Sequence, residues 1–233
     1  METVELAEVA AVLADPSRAT MCLTMIDGRA WTVGELATAA GIAPSTASAH
    51  VQRLVDAGFA TTVRQGRHHY VRLADQRVAE LIERLSEHAG HRPPRTLRSS
   101  LRARRLAYAR TCYDHVAGRL GVALRDGMLR TGLIDNTDGL ALTPAGRAVL
   151  ADLNVSIPPT GRRPQLKECL DWTERREHLS GAVPTALLAQ AVEDGWLDRG
   201  ADRSVRVLSG ADEPLSRLGV SLAALGQAYS CGA

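Results

Sequence analysis

Two groups of Cys, Asp and His stand in the second half of this 233-residue chain: Cys112, Asp114 and His115, then Cys169, Asp171 and His178. Thiolate with imidazole is a donor set for zinc, or for arsenite-like species that prefer sulfur. Two ligand-bearing segments that converge on one ion would make binding a lever on domain geometry. The spacings differ. Cys112 and His115 are three apart and suit one helix face, whereas Cys169 and His178 are nine apart, and neither segment holds a Cys-x-x-Cys pair. The same region offers a second chemistry: Tyr113, His115, Trp172, Arg175, Arg176 and His178 mix flat apolar faces with directed polar groups, as organic-ligand sites do. A third reading makes all of them packing or surface groups, with Trp172 and Trp196 as core anchors. Cys112 with His115 could also activate a thiol, with Asp114 or Asp171 as acid or base. No oxyanion site, glycine-rich phosphate loop or third orienting group accompanies them at a recognisable spacing, so no catalytic residue is assigned and the chain is read as a non-enzyme.

These groups open a weak internal repeat. Residues 115–134, HVAGRLGVALRDGMLRTGLI, align without gaps at an offset of 63 with 178–197, HLSGAVPTALLAQAVEDGWL. Five of the twenty positions are identical: His115/His178, Gly118/Gly181, Ala123/Ala186, Leu124/Leu187 and Gly132/Gly195. Each copy is followed by a turn and strand-like residues, so the second half is expected to hold two helix-hairpin units packed as one domain, at about 112–155 and 165–220. In a stretch so rich in Ala and Leu, chance similarity is the alternative.

A different chemistry is written into Trp31–Leu73. Thr32 and Glu35 make a Thr-x-x-Glu capping box at the start of a short helix, with Leu36, Ala39 and Ala40 on one face and Gly41 at its end. Pro44 suits the first turn of the next helix, whose Ala47, Val51 and Leu54 recur at core spacing. That leaves Ser45, Thr46, Ser48, Ala49, Gln52 and Arg53 outside, short or polar side chains able to enter a major groove and meet phosphates and base edges. The alternating segments Ala60–Arg64 and His68–Leu73 flank Gln65-Gly66-Arg67, a hairpin whose Arg64, Arg67 and His68 could reach a neighbouring phosphate or the minor groove. Two helices, a tight turn and a hairpin form a DNA-reading unit.

From about Val4 to Gly90 the chain resembles the ArsR/SmtB family of bacterial winged-helix repressors. The matching runs are LADPSRATMCLTMIDG, TVGELATAAGIAPSTASAHVQRLVDAGFA and RQGRHHYVRLAD. The resemblance implies a homodimer on a short palindromic operator, released when an inducer binds. It also implies that the first helix (5–13) and the helix after the wing (Arg77 to His88) pair across the two-fold, setting two reading helices about one DNA turn apart. The chain departs from the family's metal sensors. The run Glu35-Leu36-Ala37-Thr38-Ala39 lacks the cysteine pair of the arsenic and lead sensors. Asp75-Gln76-Arg77 lacks the Asp-x-His of the zinc sensors, with only Glu83, Glu87, His88 and His91 beyond it. The family's commonest inducer therefore does not carry over. Further along, TCYDHVAGRLGVAL, LTPAGRAVL and CLDWTERREHLSGAV resemble runs in long bacterial ArsR-type proteins, which implies no particular ligand.

Composition sets the frame. Hydrophobic residues at 45% are enough for real cores, but aromatics at 3% mean that Ala, Leu and Val build them. No run of about 18 apolar residues suggests a membrane span. METVELAEVA lacks the plan of a signal peptide, and the wide spacing of Cys22, Cys112, Cys169 and Cys231 reads as reduced thiols, so a cytoplasmic protein is expected. A net charge of +2 hides an asymmetry: residues 1–90 carry 8 Lys/Arg against 11 Asp/Glu, 112–233 carry 13 against 15, and 91–111 carry seven Arg with no acid. That connector either runs along DNA phosphates or pairs with the acidic parts on either side. The expected architecture is α+β, mainly α with small hairpins. A DNA-binding and dimerisation domain occupies 1–90, an Arg-rich linker or helix with Pro93-Pro94 at the boundary occupies 91–111, and an effector-sensing domain occupies 112–233.

Overall fold

The computed structural model describes residues 6–65, 68–89, 97–161, 163–200 and 203–227. Gly66, Arg67, His91, Pro93-Pro94 and Cys231, together with the side chains of His68 and Glu87, lie outside the described residues. The chain divides into two compact units, Met1–Gly90 and His91–Ala233.

The first unit begins with helices α1 (Leu6–Leu13) and α2 (Pro16–Met25). Asp15 caps α2, accepting from the amides of Ser17 and Arg18 at 2.9 and 3.0 Å, and Pro16 takes the first turn at no hydrogen-bond cost. The buried Arg18 then reaches back to the end of α1, donating to the carbonyls of Val12 and Ala11 at 2.6 and 3.0 Å. The Asp-Pro-Ser-Arg run thus joins two helix ends. A two-residue strand β1 (Trp31–Thr32) precedes α3 (Val33–Ala40) and α4 (Pro44–Asp56), and β2 (Ala60–Gln65), β3 (His68–Leu73) and α5 (Gln76–His88) follow. The sheet order is β1-β3-β2, all antiparallel.

At α3 the capping box is complete: Thr32 Oγ1 accepts from the Glu35 amide at 3.2 Å, and Glu35 accepts from the Thr32 amide at 2.8 Å. Gly41 adopts φ 68°, a left-handed backbone that glycine tolerates, and so makes the turn into α4. Leu36 and Ala37 are the buried pair on α3, and Ala39 is exposed, contrary to expectation. At 100° per residue Ala39 lies 60° from Leu36 on one side and Ala37 100° from it on the other, and the core meets the Ala37 side. The register pairs Gln65 with His68, so Gln65 belongs to strand β2 rather than to the turn in which the sequence reading set it.

The second unit starts with α6 (Leu97–Tyr108), drawn from the stretch expected to be a connector. A hairpin of β4 (Arg110–Cys112) and β5 (His115–Ala117) follows, then α7 (Gly118–Arg130), a hairpin of β6 (Ile134–Asp135) and β7 (Ala141–Leu142), and α8 (Pro144–Asp152). Next come β8 (Lys167–Asp171) and β9 (Arg176–Ser180), α9 (Ala182–Glu193), β10 (Leu197–Arg199) and β11 (Val205–Val207), a 3-10 turn (Ser209–Ala211), α10 (Asp212–Arg217) and α11 (Leu222–Gln227). Each Cys/His group therefore lies on a hairpin that precedes the long helix, not on the helix itself. The reason is local. Gly118 has φ 77°, and a Cβ there would lie 2.8 Å from the Ala107 carbonyl oxygen, so the chain turns sharply from strand into helix at this residue.

Helix α7 packs on β9 and helix α9 on β5, so the elements cross over between the two sequence halves. One apolar core built from Leu120, Leu124, Met128, Leu150, Leu188, Leu215 and Trp196 runs through the unit. A bridge between Arg110 and Ser204, and amide bonds from Thr111 to Arg203 and from Val205 to Ala109 (both 2.9 Å), tie β4 to the last hairpin.

Candidate DNA-reading face and candidate metal centre

On α4, Ala47, Val51 and Leu54 are buried, while Ser45, Thr46, Ser48, Ala49, Gln52 and Arg53 form an exposed face. Ser48 donates to the Pro44 carbonyl at 3.0 Å and Gln52 to Asp56 at 2.7 Å. These local bonds hold both side chains along the helix while their oxygens remain able to accept. Arg64 is exposed on the wing strand. The N-cap residue of α4, Ala43, supplies no side-chain hydrogen bond to the amides of the first turn.

The second unit brings together what the sequence kept apart. Cys112 lies opposite His115 across β4–β5, and Cys169 opposite His178 across β8–β9. The expectation that Cys112 and His115 share a helix face is corrected: they are cross-strand neighbours on a hairpin. The nine-residue gap between Cys169 and His178 is no obstacle, because the hairpin folds it shut. The four donor atoms all lie within 4.8 Å of one another. The two Nε2 atoms face each other at 3.1 Å, the rings are stacked with centroids 5.1 Å apart, and the two Sγ atoms are 3.9 Å apart. Both histidines and Cys112 are buried and Cys169 is half-buried. Among the described residues, no disulfide joins Cys22, Cys112 or Cys169.

Behind each imidazole stands a carboxylate. Asp114 Oδ1 is 3.3 Å from His115 Nδ1, and Arg163 grips Asp114 with two bonds of 2.7 and 2.9 Å. Asp171 Oδ2 is 3.6 Å from His178 Nδ1 and accepts from the Gly118 amide at 2.6 Å and from Arg110 at 3.0 Å. Asp171 Oδ1 accepts from the Thr173 hydroxyl and from the Thr173 and Glu174 amides, closing the turn of the second hairpin. Arg110 and Asp171 are both fully buried, and the Arg110 guanidinium lies 4.6 Å over the Trp172 ring.

The electrostatics follow from this layout. Burial opposes ionisation of Asp171, but Arg110, Thr173 and the Gly118 amide outweigh it and hold the carboxyl well below the usual range. Asp114, also opposed by burial, is pulled down to about 2 by His115 and Arg163. Burial works against the His115 cation, yet the Cys112 sulfur and Asp114 lift its pKa to about 9. Burial and the neighbouring His115 push His178 down to about 3, against the pull of Asp171.

Other expectations need revision. Arg110 belongs to the inside of the protein, not to a basic surface stretch, because Asp171 and Thr173 supply its partners. Of the residues considered for an organic ligand, His115 and His178 meet in the buried cluster, Trp172 lies under the Arg110 guanidinium, and Arg175 and Arg176 are exposed, with Arg176 paired to Asp126. An apolar crevice lies among Val116, Leu124, Met128, Leu179 and Leu187. Arg110, Arg163 and Thr173 were missed as parts of the site. Arg110 was counted with the Arg-rich run, although its place two residues before Cys112 ties it to the cluster, and no local pattern marks Arg163.

A helix-turn-helix with a β-wing, joined in one chain to a second unit that gathers ligand-type side chains, defines a winged helix-turn-helix regulator. Comparison with known proteins agrees. Residues 13–63 match the helix-turn-helix domain family. The HTH-type transcriptional regulator YdfF of Bacillus subtilis (strain 168) is 36% identical over 197 residues, covering 83% of this chain and 87% of its own. The chain therefore belongs to the HTH-type transcriptional regulators, and the motif residues quoted above resemble the ArsR type among them. Among solved structures, a homodimeric winged helix-turn-helix DNA-binding domain of Mycobacterium bovis, from a possible ArsR-family regulator, is 26% identical with a TM-score of 0.32, covering 40% of this chain and 98% of its own. The transcriptional repressor BigR of Xylella fastidiosa is likewise 26% identical with a TM-score of 0.34, covering 38% and 89%. No helix among the described residues is long and apolar enough to cross a membrane.

Proposed function

We propose that this chain is a one-component repressor of the bacterial cytoplasm. As a homodimer it holds a palindromic operator through α4 and the β2–β3 wing, and it leaves the DNA when an effector binds in the second unit. The observation that carries this reading is the division of α4 into a buried Ala47-Val51-Leu54 face and an exposed face of short and polar side chains. Such a face can enter a major groove, where base edges carry a distinct donor and acceptor code. Arg64, with Arg67 and His68 beyond it in sequence, would meet backbone phosphate at the wing.

The dimer reading is supported by apolar side chains left in the open. Leu6 and Val9 on α1 are 70% and 43% exposed, and Leu81 and Leu85 on α5 are 40% and 46% exposed. Isolated exposed leucines are ordinary, but two adjacent pairs on the helices that this family places at its two-fold fit a second copy of the chain.

The effector reading rests on the second unit's buried thiol and imidazole cluster, whose ligand types suit a metal or a thiol-reactive species. An enzyme using Cys112 would need substrate to reach a sulfur that is 5% exposed beside a histidine that is 2% exposed, which burial opposes. The alternating hairpin and helix order on either side of residue 160 supports descent from a duplicated unit.

The test is a fluorescence anisotropy titration of the full chain against DNA from its own promoter region. Saturable binding that exceeds binding to scrambled DNA and falls with salt supports the reading. Equal affinity for both DNAs at every salt concentration would refute it.

A further inference from the structure

We propose that Cys112, His115, Cys169 and His178 bind a single zinc-class dication in a closed, four-coordinate Cys2His2 site. Its consequence for DNA release rests on the effector reading above, whereas binding of the ion does not.

The distances carry the argument. Zinc bonds of about 2.3 Å to sulfur and about 2.0–2.1 Å to nitrogen, at tetrahedral angles, set the sulfurs about 3.8 Å apart and the nitrogens about 3.3 Å apart. The two Sγ atoms stand at 3.9 Å and the two Nε2 atoms at 3.1 Å. The sulfurs are also far beyond the roughly 2.05 Å of a disulfide. The remaining pairs lie within 4.8 Å, so closing on an ion requires side-chain shifts of about an ångström and no movement of the hairpins.

Tautomers point the same way. Asp114, 3.3 Å from Nδ1 of His115, favours the proton on that nitrogen, as in carboxylate–histidine–zinc arrangements, and Asp171 stands 3.6 Å from Nδ1 of His178. The two Nε2 atoms face each other across 3.1 Å, a separation that either a proton shared by the rings or a cation between them can hold. A cation would occupy that position and also engage the two sulfurs, which a proton between the nitrogens does not.

The donors select the ion. Two thiolates and two neutral imidazoles give a borderline-soft set, and both aspartates are turned toward the imidazoles rather than inward. Calcium and magnesium, which require oxygen ligands, are therefore disfavoured. Two thiolate charges neutralise a dication, so the complex can sit in a buried place that would reject a bare ion. Four protein ligands leave no position for substrate, which makes the site a clamp rather than a catalyst. Each hairpin contributes one cross-strand Cys/His pair, so the ion would staple β4–β5 to β8–β9.

The test uses the full chain, reduced and stripped by a chelator, and titrated with Co(II). We expect saturation at one equivalent, with the visible bands of tetrahedral Co(II), a near-ultraviolet thiolate charge-transfer band, and displacement of both by one equivalent of Zn(II). Cys112→Ser and Cys169→Ser should each halve the charge-transfer intensity, and Cys231→Ser should leave it unchanged. If either variant fails to fold by circular dichroism, Asp114→Asn keeps all four ligands and should weaken binding about ten- to a hundredfold with the same spectrum. Absence of any Co(II) spectrum from natively folded protein would overturn the site, and so would a spectrum that survives both Cys→Ser changes. A folded, metal-indifferent chain that still binds its promoter would sink this site alone, and a metal-binding chain with no preference for its promoter would sink the regulator reading alone. Adding one equivalent of zinc to the promoter complex then decides regulation. A changed affinity supports the ion as effector, and an unchanged one restricts it to holding the fold.

Discussion

At the level of single residues, burial separates the roles of otherwise similar side chains. Cys22 is fully enclosed, and burial pushes its thiol up to about 12, against a small pull from Arg18. Because the folded pKa lies above the unfolded one, the contribution is complete below about pH 9 and is lost as pH rises toward 12. Stability measured by urea unfolding should fall by about 1.4 kcal/mol per pH unit across that window, and Cys22→Ala should remove this component. Arg110 and Asp171 are a buried charge pair, and removing one partner strands the other. Arg110→Ala should therefore cost about 3–5 kcal/mol in denaturant titrations. On the reading helix, Ser48→Ala and Gln52→Ala should each erode the preference for promoter over scrambled DNA by about 1–3 kcal/mol. Arg64→Ala should instead weaken both DNAs alike and lower the salt slope by about one.

Elements are held by their ends. The α1–α2 corner depends on Arg18 and Asp15, and the α3 start on the Thr32–Glu35 box. Gly118 serves the entry to α7 twice, through its left-handed backbone and through the amide that it donates to Asp171. Gly118→Ala should lower stability by about 1–3 kcal/mol in thermal melts, since φ 77° is strained for alanine and its Cβ would press on the Ala107 carbonyl. Gly34, inside α3, is the contrasting position, because an added methyl group there would meet nothing within 4 Å. There the change to alanine should be neutral or stabilise by up to about 1 kcal/mol. A Gly118→Ala melt that matches the parent chain would remove the claim that this corner constrains the hairpin.

For the whole molecule, the open question is assembly. The exposed Leu81 and Leu85 on α5 predict a dimer of 24.9 kDa chains in sedimentation equilibrium. Leu81→Glu with Leu85→Glu should shift it to monomer and lower operator affinity, because one half-site contact is weaker than two joined ones. If the doubly substituted chain remains dimeric, the interface lies elsewhere.

The sequence by itself determined the first unit almost completely. Capping residues, Gly41, Pro44 and the Ala47-Val51-Leu54 spacing are local signals that act within one or two helical turns, so they are readable without coordinates. Ala39 was misplaced because two neighbouring positions on so short a helix compete for the buried face. The second unit was legible only as a list of residue types. Cys112, His115, Cys169 and His178 were all singled out, but periodicity set the first pair on a helix and counted the nine-residue gap against the second. Cross-strand pairing depends on where a hairpin turns, and the approach of one hairpin to another depends on the core that α7 and α9 share. Those are long-range contacts, made after the local signals are spent. Only the tertiary structure could bring two sulfurs and two ring nitrogens, tens of residues apart, to a common point within 4.8 Å.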